Sequence, residues 1–279
     1  MAIPPIVEEV INEYITLFNV YLPDTIEGIY IHGSIALNAY VEDSSDIDFI
    51  TVTYRPLGEK DSNVLSYIHS TIANKYKQPE MDGVYIQLRD MGKLYSDTND
   101  YNHSYLFYNN ENLGYGDYFN FNPVTWWVLK NKGINILGPA PKDIELDIEP
   151  EELLSYVLKN MNTYWARRLK AAEESIHEII NLPKNKIDFE VEWTVLGLLR
   201  QFFTLKEYDI VSKLDAGEYG LTQISSEWHN IIQEAINIRK GIKVNIFSSD
   251  TERIEQTLSF SKFLITHCNN MGNRISHNR

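Results

Sequence analysis

Residues 32–52 read HGSIALNAYVEDSSDIDFITV, and the elements on either side of this stretch fall into place around it. Residues 28–31 (GIYI) form a short apolar run, β-branched and aromatic, that stops at His32-Gly33-Ser34, as a buried strand does where it meets a turn. Gly33 permits a backbone turn that brings the chain close to a ligand, and amides around Ser34, at the start of a short helical piece over residues 35–40, can donate to phosphate oxygens. Residues 47–54 (IDFITVTY) then read as a second strand, opened by Asp46 and Asp48. Residues two apart on a strand project to one face. Two carboxylates so placed repel unless a cation sits between them. Magnesium is a natural occupant, since it prefers hard oxygen ligands and commonly takes one or two carboxylates together with phosphate oxygens. Taken singly, the aspartates would pass for solvated residues at a strand entrance and Gly-Ser for a plain turn. Joined as strand, Gly-Ser turn, short helix and DxD strand, they describe a phosphate-and-metal site.

Working outward, residues 5–20 place Ile6, Val10, Ile11, Tyr14, Leu17 and Phe18 at helical spacing, and Val64, Leu65, Ile68, Ile72 and Tyr76 do the same over 61–76. Residues 84–88 read as a third strand. Alternation of helices and strands to about residue 90 predicts a mixed sheet flanked by helices. Residues 91–121, rich in Asn, Asp, Gly and Tyr, read as a long loop or irregular hairpin near the site. A helix over 123–132, with Pro123 in its first turn, and a strand over 134–137 precede Gly138-Pro139-Ala140-Pro141, the best break in the chain. Beyond it the pattern is helical, over about 150–181, 190–207, 209–216, 226–240 and 250–270. The expected class is therefore α+β, with a sheet domain over residues 1–140 and a helical bundle over 141–279.

Composition narrows the function. The 279 residues are 43% hydrophobic and 23% charged, which is ordinary for a globular protein. No apolar run approaches the roughly 18 to 20 residues of a membrane span, and the opening MAIPPIVEEV lacks the basic and apolar regions of a signal peptide, so no membrane partner and a cytoplasmic location are expected. Cys268 is the single cysteine, which rules out an internal disulfide and a cysteine metal site. A formal net charge of -14 opposes a long nucleic-acid partner, because Lys and Arg supply most non-specific affinity for phosphate backbones. The same charge can draw in a cationic small molecule if some of it lines a cleft.

The run HGSIALNAYVEDSSDIDFITV resembles the signature of the DNA polymerase β-type nucleotidyltransferase superfamily, and is similar in particular to the aminoglycoside adenylyltransferases. The resemblance implies that Asp46 and Asp48 bind magnesium, two ions in the usual scheme, and that a third carboxylate arrives from a later strand; Asp82, before Gly83-Val84-Tyr85-Ile86, and its neighbour Glu80 are the candidates, with Asp82 as the proton acceptor. Residues 193–202 (WTVLGLLRQF) and 210–213 (IVSK) look like the C-terminal domain of streptomycin and spectinomycin adenylyltransferases, where an arginine and a lysine about a dozen residues later reach the triphosphate. Arg200 and Lys213 match that pair, and with Gly33, Ser34 and Ser45 they complete the implied nucleotide contacts. A guanidinium grips phosphate oxygens bidentately and an ammonium acts as a point charge. Asp188, Glu190, Glu192 and Trp193 cluster at what the pattern makes a helix start. The resemblance puts acceptor binding there, on Glu190 and Trp193. Carboxylates and a ring face suit protonated amines or guanidines, although acids also favour helix N-termini for structural reasons. The length and tyrosines of residues 91–121 are where the sequence departs from the drug-modifying enzymes.

The expected reaction is magnesium-dependent transfer of AMP from ATP to a hydroxyl of an aminoglycoside-like molecule, with the substrates held by both halves and pyrophosphate released. Alternatives are transfer to a protein side chain or an RNA end, as in toxin–antitoxin nucleotidyltransferases, and a catalytically silent nucleotide-binding protein. Of the remaining candidates, His32 is read as supporting the turn. Tyr105, Tyr108, Tyr115, Tyr118, Trp126 and Trp127 either line a cleft or pack a core.

Overall fold

The computed structural model describes residues 3–42, 44–94, 105–116, 120–244 and 246–277. The chain folds as two compact units, Met1–Glu149 and Pro150–Arg279. The division falls after the Gly138-Pro139 break, because residues 141–149 pack with the first unit: Leu146 and Ile148 are buried against Trp126, Ile50 and Val52.

The first unit runs α1 (Pro5–Tyr21), β1 (Ile26–Ile31), α2 (Gly33–Ala36), β2 (Ile47–Thr53), α3 (Glu59–Lys75), β3 (Met81–Ile86), β4 (Tyr105–Asn109), β5 (Asn112–Gly116), α4 (Pro123–Lys132) and β6 (Ile134–Leu137). Its strands form one mixed sheet in the order β5-β4-β3-β2-β1-β6. β2 and β3 are parallel, and the other neighbours are antiparallel. A parallel pair needs a crossover, which α3 supplies. Alternation along the strands makes two apolar faces. Ile29, Ile31, Ile47 and Phe49 pack with Val10, Tyr14, Phe18, Leu65 and Ile68 of α1 and α3. Tyr30, Ile50, Val52, Val84 and Ile86 meet Trp126 and Leu129 of α4. The stretch read as loop or hairpin resolves into the β4–β5 hairpin, while residues 95–104 and 117–119, Tyr118 included, lie outside the described residues. The short helix begins two residues earlier than the pattern suggested, because Gly33 takes a positive φ and turns the chain straight into it.

The second unit is helical: α5 (Pro150–Asn160), a π-helical turn over Met161–Trp165, α6 (Ala166–Glu174), α7 (Ile176–Ile179), α8 (Lys184–Glu207), α9 (Lys213–Gln223), α10 (His229–Arg239) and α11 (Asp250–His277). The expected single helix over 150–181 is thus interrupted. α8 is the central helix, packed by α5, α9, α10 and α11. A Cβ at Gly197 would lie 2.5 Å from the Trp165 ring, so the glycine lets that indole rest directly on α8. Arg253, 5% exposed, binds α11 to its neighbours: its Nε lies 2.8 Å from Glu234 on α10, and its Nη2 meets Asp188 on α8. Among the described residues no helix is long and apolar enough to cross a membrane.

Candidate functional site

In the first unit the site forms where β1 ends and β2 and β3 begin. The His32 amide donates to the Asp48 carbonyl at 3.0 Å, holding the turn against β2. Gly33, at φ +61°, lies under the Asp48 side chain: a Cβ there would fall 1.7 Å from Oδ2. Asp48 and Asp82 are register partners on the parallel strands β2 and β3. By strand alternation both project to the face of Ile50 and Val84, opposite α1 and α3, and Asp46 shares that parity. Asp46 is exposed, while Asp48 and Asp82 are half-buried. On the next strand Asn109 Nδ2 donates to Asp82 Oδ2 at 2.8 Å, which fixes the plane of that carboxylate. Glu80 stands before β3, exposed, with its carbonyl accepting from the Ile47 amide.

Of the two serines, Ser45 is structural in its contacts: its Oγ accepts from the Val41 amide at 2.9 Å and its own amide donates to the Val41 carbonyl. The Ser34 Oγ is buried with no hydrogen-bond partner among the described residues, an orphan that a phosphate oxygen would satisfy. His32 is buried, and desolvation holds its pKa below the ordinary value against the opposing pull of Asp48, so the ring is neutral at pH 7. Among the described residues no three His, Cys, Asp or Glu side chains form a ready-made metal cage. A cation here would rest on the aspartates and on oxygens brought by a nucleotide. That all-oxygen donor set fits magnesium.

In the second unit the acidic cluster is not at a helix start. α8 begins at Lys184, after Pro183, which is suited to open a helix, so Asp188, Glu190 and Glu192 stand beyond its first turn, out of reach of the helix-dipole explanation for acids. Each is instead paired with cationic side chains from other helices. Asp188 meets Arg253, Glu190 meets Arg168, and Glu192 Oε1 takes both Lys213 Nζ at 3.2 Å and Arg239 Nη1 at 3.6 Å. Glu192 and Arg239 are nearly buried, their side chains 10% and 12% exposed. Two cations on one carboxylate leave an excess positive charge in a poorly solvated place. Desolvation, with the charges of Arg239 and Arg200 acting in the same direction and Glu192 opposing, pulls the Lys213 pKa down. Arg200 is held by Nε donation to the Val211 carbonyl at 3.1 Å. Glu190 and Trp193 come together through Arg168, whose guanidinium bonds the carboxylate and lies 4.5 Å from the indole centroid.

Sequence reasoning missed Asn109, Arg168 and Arg239. Each reaches its partner from another element, and no local pattern marks it. The aromatic candidates divide: Tyr105, Tyr108 and Trp126 are buried in the core of the first unit, whereas Tyr115 is exposed.

Residues 166–263 match the family model of the aminoglycoside adenylyltransferase C-terminal domain, a span that holds Arg168, Glu190, Glu192, Trp193, Arg200, Lys213 and Arg239. The chain resembles the aminoglycoside adenylyltransferases. Its fold is that of spectinomycin adenyltransferase AAD(9) from Enterococcus faecialis, a structure solved with ATP and spectinomycin, at a TM-score of 0.62 and 17% identity over 93% of this chain and 99% of that one. Both comparisons are to nucleotidyltransferase enzymes. Among curated proteins no sequence matches.

Proposed function

We propose that this protein transfers AMP from ATP to a hydroxyl of an aminoglycoside-like acceptor and releases pyrophosphate. The observation that carries the reading is the pairing of Asp48 with Asp82 in register on parallel strands, with Asp48 seated over Gly33 at the end of a strand–turn–helix unit. The neighbour solved with ATP and spectinomycin supports the choice of nucleotide and of acceptor class. Asp46 and Asp48 would hold magnesium, which when bound neutralises charge at the α-phosphate and lowers the pKa of the acceptor hydroxyl. Asp82, oriented by Asn109, takes the hydroxyl proton as the new O–P bond forms and the bond to the β-phosphate oxygen breaks. The Ser34 hydroxyl donates to the phosphate chain. Arg200 and Lys213, with Arg239 beside them, bind the outer phosphates and stabilise charge gathering on the leaving pyrophosphate. Glu190 and Trp193 receive a cationic group of the acceptor.

Incubation with α-labelled ATP, magnesium and a panel of aminoglycosides that includes spectinomycin tests the reading. A labelled product of drug size and stoichiometric pyrophosphate are expected. Label on protein or RNA alone would move the assignment to those acceptors, and absence of any label would end it.

A further inference from the structure

The Glu190–Trp193 corner already contains a cation. The Arg168 guanidinium bonds Glu190 and lies over the Trp193 ring, and that ring is also flanked by Trp165 at 4.9 Å and Tyr164 at 5.9 Å. The corner is open to solvent: the Arg168 and Glu190 side chains are 31% and 33% exposed. A shallow cleft, lined in part by Trp165, Arg168, Glu190 and Thr194, opens beside it. A carboxylate, an aromatic face and partial exposure are what recognition of an organic cation requires, and the guanidinium now there satisfies all three.

We infer that Arg168 is an internal stand-in for the cationic group of the acceptor, occupying the Glu190–Trp193 corner until that group displaces it. The inference rests on the reading that Glu190 and Trp193 meet the acceptor. Displacement is feasible because a partly exposed ion pair contributes little net stability, and the long Arg168 side chain can be resolvated as it leaves. The contact therefore acts as a filter. A neutral group cannot replace the lost charge on Glu190, whereas a guanidinium or ammonium restores both the ion pair and the ring contact. Arg168 sets the threshold a ligand must exceed, and its removal should tighten cations selectively.

The test uses the full chain and methylguanidinium as probe, followed by tryptophan fluorescence and calorimetry at constant ionic strength. Arg168→Ala and Arg168→Gln, the second retaining bulk should the first fail to fold, are expected to bind the probe at least about tenfold more tightly than the parent protein. Adding Glu190→Gln to either should abolish the gain. Equal probe affinity in folded Arg168→Ala, Arg168→Gln and parent protein would overturn the inference. The two readings fail separately. A gain in probe affinity without AMP transfer to any aminoglycoside would uphold the stand-in and remove the proposed reaction. AMP transfer with no gain in probe affinity and an unchanged acceptor KM in the variants would uphold the reaction and remove the stand-in.

Discussion

The carboxylate of Asp48 occupies the space that a side chain on residue 33 would need, with only 1.7 Å between its Oδ2 and an ideal Cβ on Gly33. Residue 33 also stands at φ +61°, where an L side chain is strained. Gly33→Ala should therefore push Asp48 aside without touching the core of the sheet. AMP transfer should fall by at least about a hundredfold, the scale of losing a major electrostatic stabiliser, with the circular dichroism spectrum retained. Activity near that of the parent would mean that the seating of Asp48 over Gly33 has no part in the reaction.

Asp48→Asn keeps the shape and removes the charge. Turnover should drop by at least about a hundredfold, and Asp46→Asn should act in the same direction. ATP binding followed by calorimetry should need a divalent ion and vanish with chelator. Near-normal turnover in either folded variant, or chelator-indifferent binding, would remove magnesium from these aspartates.

How much of this was legible in the sequence depended on whether a feature was local. The DxD strand, the Gly-Ser turn and the change to helical periodicity after residue 141 are short-range patterns, and the mixed sheet followed by a helical region came from them. Asp82 entered as a candidate only through the family resemblance, and its place within β3, its register with Asp48 and its bond from Asn109 depend on strand order, which periodicity does not encode. The acids at 188, 190 and 192 were visible, yet they looked like helix-start residues because the run of lysines and Asn before them hid two further turns of α8. Their partners Arg253, Arg168 and Arg239 come from α11, α6 and α10, and only packing brings them in.

The shared carboxylate of Glu192 separates two effects that resemble each other in an activity assay. Lys213→Ala or Arg239→Ala removes one of two cations facing it, so the ion pair survives and thermal stability should change little. ATP affinity, measured calorimetrically, should weaken by about 1 to 3 kcal/mol in each, as for loss of a charge-assisted hydrogen bond. Glu192→Gln instead leaves two poorly solvated cations together and should destabilise the second unit by about 3 kcal/mol, the cost of breaking a buried pair. Unchanged ATP affinity in both cation variants would show that the cluster serves only the packing of α8 with α9 and α10.

His69 gives the first unit a pH dependence whose sign follows from its surroundings. The ring is 1% exposed, bonds the Tyr85 hydroxyl through Nε2 at 2.6 Å and stacks on Tyr108 at 3.7 Å. Burial pushes its pKa down to about 3 from 6.5. Above pH 6.5 the imidazole is neutral in folded and unfolded chains alike, and its contribution to stability is complete. Between pH 6.5 and 3 the unfolded chain takes up a proton that the folded chain refuses, so stability falls as pH falls, by up to about 1.4 kcal/mol per pH unit for one proton. His32, also buried and also shifted down, adds a slope of the same sign, which is why the comparison must be a difference. His69→Gln retains a polar partner for Tyr85 and cannot titrate. Urea unfolding at pH 7.5, 6.0 and 5.0 should find the variant less stable than the parent at pH 7.5, for want of the stacking on Tyr108. Its loss of stability on acidification should be shallower by close to one proton. Parallel pH profiles for the two proteins would mean that His69 titrates alike in both states, and that the ring buried between Tyr85 and Tyr108 is accessible to protons after all.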